Sequence, residues 1–165
     1  MIKVIRGDIT SQTTDAIVNA ANTHLIAGGG VCGAIHRVAG PELEIECRKI
    51  GGCPIGEARL TRAYDLPCRH VIHAVGPRYS DGTRGESEIL TSCYQSIFAL
   101  TEKHGIESIS IPAISTGIFQ YPVKEATEIA FATTLVAQDE QNLLVQFVCF
   151  DKDTADIYEK IYTQS

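Results

Sequence analysis

Three consecutive glycines, Gly28, Gly29 and Gly30, directly precede a helical pattern over residues 31–39. Glycine lets the backbone approach an anion closely and adopt positive φ angles, and the free N–H groups of a first helical turn point towards such an anion. A glycine triplet alone is also typical of a flexible surface turn. The triplet therefore indicates a phosphate-binding loop only if further donors lie close to it.

A second group of donors, in the segment PAISTGIF that begins at Pro112, follows an apolar run that predicts a β-strand. Ligands of open α/β sheets bind at the carboxyl ends of strands. Ser115 and Thr116 offer hydroxyl and backbone donors, so this loop and the glycine loop are expected to hold a diphosphate from two sides. Phe119, just beyond the donors, is either a core residue or the cover of a sugar ring.

Polar side chains also follow other predicted strands. Asp8 has two roles open to it, because it caps a turn or accepts a hydrogen bond from an exocyclic amine such as that of adenine. Asn19 and Asn22 either bond to ribose hydroxyls or close the turn. His70 and His73 would point to opposite faces of a strand, so we interpret them as structural residues rather than metal ligands.

The elements that must position these residues alternate between short apolar runs and longer helical patterns, which is typical of an α/β fold. The runs are nearly continuous, so we expect a three-layer α/β/α sandwich with a central mixed, mostly parallel sheet. The segment 77–85, rich in Gly, Ser and Asp, predicts a mobile loop. The predicted strands are residues 2–5, 16–20, 57–61, 70–75, 108–112 and 144–150, and the predicted helices are residues 31–39, 41–50, 86–104, 123–137 and 154–162.

The composition fits one globular domain over residues 1–165, with 44% hydrophobic and 21% charged residues. The formal net charge is -6 and no basic stripe is present, so nucleic acid is not expected as a partner. Six cysteines occur singly, without a CxxC pair or a secretory leader, which favours reduced thiols in the cytoplasm. No apolar run approaches the roughly 20 residues that span a bilayer, so no membrane association is expected.

Several of these segments occur together, in the same order, in macrodomains. The chain resembles the MacroD-type branch of that family, which includes bacterial O-acetyl-ADP-ribose deacetylases. The resemblance implies a macrodomain fold that binds ADP-ribose or its derivatives, with ADP-ribosylated proteins as further partners and with neither cofactor nor metal. The matching segments cover nearly the whole chain and are residues 7–10, 15–22 (DAIVNAAN), 28–40 (GGGVCGAIHRVAG), 56–61, 66–77 (LPCRHVIHAVGP), 111–122 (IPAISTGIFQYP) and 147–151 (FVCFD).

The resemblance also implies roles for single residues. Asp8 is expected to bind the adenine amine, the N–H of Ile9 to lie nearby, and Phe150 to stack on the base. Asn22 and Phe119 are expected at the distal ribose. Asn19 and Asn22 match the family's sheet-edge asparagines, and Ala20 beside them is also expected to bind the ligand. The first phosphate loop matches Gly28, Gly29, Gly30 and Val31, and the second matches Ser115, Thr116, Gly117 and Ile118.

Cys32 is the departure that bears on catalysis, because active members carry at this position an aspartate taken to activate water. A carboxylate is ionised at neutral pH, whereas an ordinary thiol is mostly protonated. In the leading hypothesis the chain hydrolyses an ester of ADP-ribose, with Asn22 positioning the ribose and with the diphosphate, assisted by Cys32, orienting water. In the alternative, which the missing carboxylate favours, the chain is a binding module that releases ADP-ribose unchanged.

Two further departures lie in the loops. Ala27 replaces the first of the family's usual four glycines, and Gln120 replaces the glycine that usually follows the aromatic residue. Both changes narrow the freedom of the backbone, and neither removes a donor. The geometry of the ligand is therefore expected to shift without loss of binding.

Overall fold

The computed structural model describes residues 1–164, and within them six strands and five α-helices alternate along the chain. The strands are β1 (Ile2–Arg6), β2 (Ala16–Ala20), β3 (Ala58–Arg62), β4 (His70–Ala74), β5 (Ser108–Ile111) and β6 (Leu144–Cys149). The helices are α1 (Gly30–Ala39), α2 (Pro41–Ile50), α3 (Glu86–Lys103), α4 (Val123–Glu140) and α5 (Lys152–Gln164), and a 3-10 turn (Ile9–Ser11) follows β1. Every predicted element is present, with ends that differ by a few residues.

The strands form one sheet in the order β1-β6-β5-β2-β4-β3. All neighbouring strands are parallel except β3, which runs antiparallel to β4 at one edge. The prediction of a mixed, mostly parallel sheet is confirmed. The parallel strands all end at the same edge of the sheet, so the polar segments that follow them are brought together there.

Helices cover both faces of the sheet and divide the core into two layers. Successive strand residues point to opposite faces, so Ile17 of β2 packs in the layer beneath α1 and α2, whereas its neighbour Val18 packs in the layer beneath α3, α4 and α5. The first layer includes Ile35 and Leu43, and the second includes Tyr158. This arrangement is the expected three-layer sandwich.

The ends of the helices carry the residues that local chemistry favours. Pro41 occupies the start of α2, where its missing N–H costs no hydrogen bond, and Gly51 ends that helix in the left-handed conformation with a φ of 87°. Gly105, with a φ of 63°, follows α3 as predicted. No helix within residues 1–164 is long and apolar enough to cross a membrane.

The segment 77–85, predicted as a mobile loop, has no regular secondary structure but is tied down. Backbone N–H groups of residues 80, 81, 82 and 84 donate to the carboxylate of Glu86 at distances of 2.7 to 3.2 Å. Glu86 is the first residue of α3 and is 2% exposed. The buried carboxylate of Glu86 therefore holds the backbone of a segment that its composition predicts to be a mobile loop.

Candidate functional site

A cleft of about 330 Å³ opens at the carboxyl ends of β2, β4 and β5. Its walls come from the segment after β2, the start of α1, Gly76 after β4, and the loop after β5. Most of the predicted ligand-binding residues meet here because their strands are parallel neighbours. Those that line the cleft are Ala20, Asn22, Gly28, Gly29, Gly30, Val31, Cys32, Ser115, Gly117, Ile118 and Phe119.

The first loop, residues 22–32, leads into the N-terminus of α1. Gly29 is the N-cap residue and no side chain caps this end, so the first N–H groups of the helix are available to an anion. Gly30 has a φ of 54°, in the left-handed region that glycine adopts without strain. A Cβ atom at Gly33 would overlap the carbonyl oxygen of Gly28, so the loop can fold back on the helix only because this residue is also glycine.

Asn22 closes the first loop with its side-chain amide. Its Nδ2 donates to the carbonyl oxygen of Ile26 at 2.8 Å, and its Oδ1 accepts from the N–H of Ile26 at 3.1 Å. The side chain is half-buried and also lines the cleft. Of the two roles that the sequence left open, the structure shows the turn-closing one and leaves the side chain facing the cleft.

Asn19 lies beneath the cleft, fully buried, and is not part of its lining. Its Nδ2 lies 3.0 Å from Nδ1 of His73 and 3.7 Å from Sγ of Cys32. Its Oδ1 has no hydrogen-bond partner within residues 1–164. Asn19 thus supports the floor of the cleft from below, whereas the sequence could not distinguish its position from that of Asn22.

His73 holds Asn19 in place as part of a buried chain of hydrogen bonds. Thr61 donates its hydroxyl proton to the carbonyl oxygen of Arg62, so the hydroxyl oxygen accepts from Nε2 of His73 at 2.9 Å. Nδ1 of His73 is then the acceptor for Asn19. Burial, together with the nearby ring of His36, lowers the pKa of His73 to about 3, which keeps the ring neutral. The predicted structural role of this histidine agrees with these contacts.

Cys32 sits at the wall of the cleft, 6% exposed, in the first turns of α1. Its Sγ donates to the carbonyl oxygen of Ile26 at 3.3 Å and receives the Nδ2–H of Asn19 at 3.7 Å. The thiol proton is directed to a backbone carbonyl. The Cys32 side chain is therefore a hydrogen-bonded thiol that packs against the first loop.

The second loop, residues 112–121, holds two non-glycine residues in the left-handed region, Ser115 with a φ of 65° and Gln120 with a φ of 62°. Each such residue costs on the order of 1–3 kcal/mol, so surrounding contacts must hold it. The Oγ of Ser115 is buried and has no partner within residues 1–164. A buried hydroxyl without a partner is unusual in a folded protein.

Gly76 allows the second loop to approach β4. A Cβ atom at this position would overlap the Oγ of Ser115 and lie 2.8 Å from Cγ2 of Ile114. Beyond Ser115, Ile118 lines the cleft and is 85% exposed, whereas Thr116 is half-buried and lies outside the lining. The loop therefore reaches the cleft at Ser115 and at residues 117–119, while the Oγ of Ser115 lies buried beside Gly76.

Phe119 forms the end of the second loop and part of the wall of the cleft. The guanidinium carbon of Arg78 lies 5.1 Å from the centroid of its ring. Its carbonyl oxygen accepts the N–H of Tyr79 at 2.8 Å. Phe119 is half-buried and lines the cleft, so it is not a core residue.

Three predicted residues lie outside the cleft lining, at the β1 and β6 side of the same sheet edge. Asp8 caps the 3-10 turn, with its Oδ1 accepting the N–H and the hydroxyl of Thr10 at 2.9 and 2.7 Å. Ile9 is buried in the core. Phe150 follows β6 and is 80% exposed, so its ring is open to solvent.

The model of the Macro domain family matches residues 18–130 of the chain. The chain belongs to the Macro domain family. The match includes both loops that line the cleft. The geometry described above is therefore that of a macro domain whose two loops meet at the carboxyl ends of parallel strands.

Relatives of this macro domain match it along nearly its full length. O-acetyl-ADP-ribose deacetylase 1 of Pantoea vagans is 47% identical over 166 residues, which cover 97% of each chain. The Oceanobacillus iheyensis macrodomain with ADP superposes with a TM-score of 0.93 at 40% identity, covering 97% of this chain and 89% of that one. The Trypanosoma brucei macrodomain in complex with ADP-ribose gives 0.92 at 45% identity, covering 98% and 68%.

Three residues that shape this macro domain's cleft were not predicted from the sequence. Gly33 lies inside a predicted helix, where glycine is intrinsically unfavourable, and that conflict is the signal that points to a close approach. Gly76 follows a buried strand directly, which is a comparable signal. Arg78 carries no signal, because its partner Phe119 is distant in the sequence.

Proposed function

We propose that this macro domain binds ADP-ribose by its diphosphate and hydrolyses esters of ADP-ribose, either O-acetyl-ADP-ribose or ADP-ribose linked to a protein carboxylate. The observation that carries the proposal is that the uncapped N-terminus of α1 and the second loop face one cleft. The first N–H groups of α1 have no side-chain cap, so they are available to a phosphate group there. The relatives named for ADP-ribose binding and for deacetylation support it.

The strand order supports one direction for the bound ligand. The diphosphate lies between the loops after β2 and β5, and the adenine extends towards Asp8 and Phe150 after β1 and β6. Three steps between neighbouring strands at about 4.8 Å give about 14 Å from β1 to β2, which suits an elongated dinucleotide-like ligand. The distal ribose then lies between Asn22 and Phe119. The exposed ring of Phe150 supplies a stacking surface for the base.

Hydrolysis consumes one water, whose oxygen adds to the ester carbonyl carbon. The bond from that carbon to the ribose oxygen then breaks, which yields a carboxylic acid and the free hydroxyl of ADP-ribose. The thiol of Cys32 already donates its proton to Ile26, so it supplies no strong base in this arrangement. Turnover then rests on the orientation of water beside the bound diphosphate and on the positioning of the ribose by Asn22.

The second candidate function is a binding module without turnover. It is favoured by the same hydrogen bond from the Cys32 thiol to Ile26. Binding is common to both functions, and they differ only in whether the ester survives. We further propose that the protein acts in the cytoplasm and meets ADP-ribosylated proteins there. Support for this location comes from its six cysteines, which are all free in the structure.

Calorimetry and mass spectrometry test the proposal together. ADP-ribose is expected to bind and adenosine to bind far more weakly, because the donors of the two loops require a diphosphate. Equal affinities would show that the loops are not phosphate sites. Incubation with O-acetyl-ADP-ribose and with an ADP-ribosylated protein is expected to release ADP-ribose, and binding without release would select the module.

A further inference from the structure

The segment that joins β4 to α3, residues 76–86, supports the second loop along its length, and we call it the anchor segment. Gly76 makes room for Ser115, and the N–H of Tyr79 donates to Phe119 at 2.8 Å. The rings of Tyr79 and Tyr121 have their centroids 4.8 Å apart. The strained backbone of the second loop is thus held largely by residues that precede it by about forty positions in the sequence.

Glu86 fixes the anchor segment itself. Besides the four backbone N–H groups, the hydroxyl of Ser80 donates to its carboxylate at 3.3 Å. The N–H donors, with that of Ser80 foremost, hold the pKa of Glu86 at about 2. The carboxylate is therefore ionised at any pH of ordinary use, and the anchor segment keeps its shape.

Arg78 projects from this fixed segment towards the cleft wall. Its side chain is exposed, and its guanidinium forms no ion pair or hydrogen bond with the rest of the described chain. The one contact that explains its placement is the face of the Phe119 ring, 5.1 Å away. A cation over an aromatic face is attracted by the negative potential of the ring.

A phenylalanine ring at the rim of a cleft has no hydroxyl with which to fix its orientation. Arg78 supplies a contact on one face of the ring, while the bond from Tyr79 fixes the backbone beneath it. We propose that Arg78 is a positioning residue, which holds the Phe119 ring as the wall of the distal-ribose end and so sets the preference for ADP-ribose over ADP. This inference rests on the proposed function.

The test compares two ligands that differ only in the distal ribose. In Arg78→Ala, the affinity for ADP-ribose is expected to fall about two- to fivefold, the value of an exposed cation–aromatic contact, and the affinity for ADP to stay unchanged. Arg78→Lys keeps the cation and is expected to recover part of the loss. Arg84→Ala is the matched control, because Arg84 is an exposed arginine of the same segment, and both affinities are expected to stay as in the wild type.

A double-mutant cycle with Phe119→Leu separates positioning from simple charge attraction. If Arg78 acts through the ring, Arg78→Ala costs no further affinity in the Phe119→Leu background. An equal loss for ADP and ADP-ribose, a loss that persists without the ring, or no loss at all would overturn the inference. A wild-type protein that binds neither ligand would instead overturn the proposed function, which is a different result from the same calorimetric series.

Discussion

The two loops of the cleft reach similar positions by opposite means. The first loop relies on the absence of side chains, with glycine at the left-handed position and at the point of contact with α1. The second loop places non-glycine residues, Ser115 and Gln120, in left-handed conformations and depends on the anchor segment to hold them there. A loop of the first kind is sensitive to added atoms, and a loop of the second kind is sensitive to lost contacts.

The two loops also differ in the side chains they carry and in the buried contacts that hold them. The first loop carries Cys32, the position on which the two proposed functions differ, and rests on the buried hydrogen-bonded chain through Asn19 and His73. The second loop carries the unpartnered hydroxyl of Ser115 and rests on the ionised carboxylate of Glu86. Substitutions can therefore be chosen to act on one loop at a time.

The largest expected effect is at Cys32. Cys32→Asp is expected to raise ester hydrolysis by about 10²–10⁴, because it supplies a general base that the bonded thiol lacks. Cys32→Ala is expected to change turnover little. The measurement is the rate of ADP-ribose release from O-acetyl-ADP-ribose, with calorimetric affinity as the control for each variant. If alanine abolished turnover while binding survived, the thiol would be the catalyst and our interpretation of the first loop would be wrong.

Added methyl groups distinguish the loops next. Gly33→Ala brings Cβ onto the carbonyl of Gly28 and is expected to lower the free energy of unfolding by about 3 kcal/mol and to weaken ADP-ribose binding. Gly76→Ala is expected to cost a similar amount by its contact with Ser115. Chemical denaturation checks both.

A second substitution that restores lost stability distinguishes the two loops further. Ser115→Gly removes the Oγ that the new methyl group at residue 76 meets, so the double variant is expected to recover part of the stability lost in Gly76→Ala. The Gly33 clash involves backbone, so Ser115→Gly is expected to raise the stability of Gly33→Ala only by the roughly 1 kcal/mol that it gives the wild type. A gain beyond that amount in both double variants, or in neither, would contradict the distinction between the loops.

Acid is expected to weaken the support of the first loop before that of the second. The pKa of His73 is about 3 in the folded chain and about 6.5 in an unfolded one, so below pH 6.5 protons bind preferentially to the unfolded chain. The contribution of neutral His73 to the free energy of unfolding is therefore fully present above pH 6.5, and about 2 kcal/mol of it is lost at pH 5. Glu86, with a pKa of about 2, stays ionised over this range.

Urea denaturation at pH 7 and pH 5 measures this loss. His73→Gln is expected to reduce the difference between the two pH values, and wild type is expected to show no such difference between pH 7 and pH 8. An unchanged difference in His73→Gln would assign the acid sensitivity to other groups.

The smallest expected effect is that of Ser115→Gly alone. Removing the left-handed strain and the buried hydroxyl without a partner is expected to raise the free energy of unfolding by about 1 kcal/mol, after the entropy that glycine adds to the unfolded chain. The affinity for ADP-ribose is expected to fall, because a donor is lost. A gain in stability without a loss of affinity would show that Ser115 does not contact the ligand.

The sequence predicts the fold and most of the cleft because both depend on local patterns. Apolar runs locate the strands, and the two donor loops follow strands that become parallel neighbours. Asn19 shows the limit: it lies three residues from Asn22 and offers the same amide, yet strand alternation points it into the core layer beneath α1, where it contacts His73. The residue types alone do not separate the two asparagines; the resemblance to macrodomains assigns Asn22 to the distal ribose, and the packed sheet shows that Asn22 rather than Asn19 lines the cleft.

Glu86 shows a second limit. A glutamate in the first turn of a helix is ordinarily interpreted as an exposed residue that favours the helix dipole. Here the chain that precedes the helix curls around it, and its role follows from backbone N–H groups that carry no sequence signal. Loops that are ordered by backbone hydrogen bonds are for this reason the part of the site that residue composition predicts least well.

The order of the strands has a consequence for the way the chain is made. Among the six strands of residues 1–164, β1 pairs only with β6 and Ile2 lies opposite Val145, so the first of these strands to be synthesised has no partner in the sheet until the last of them emerges. At about 5–20 residues per second, a ribosome takes roughly 7 to 29 seconds to translate the residues between these two positions. During this time β1 waits with its backbone unpaired, while the strands that carry the two loops can already associate. The corner that holds Asp8 and Phe150 is therefore the last part of the site to assemble on a nascent chain.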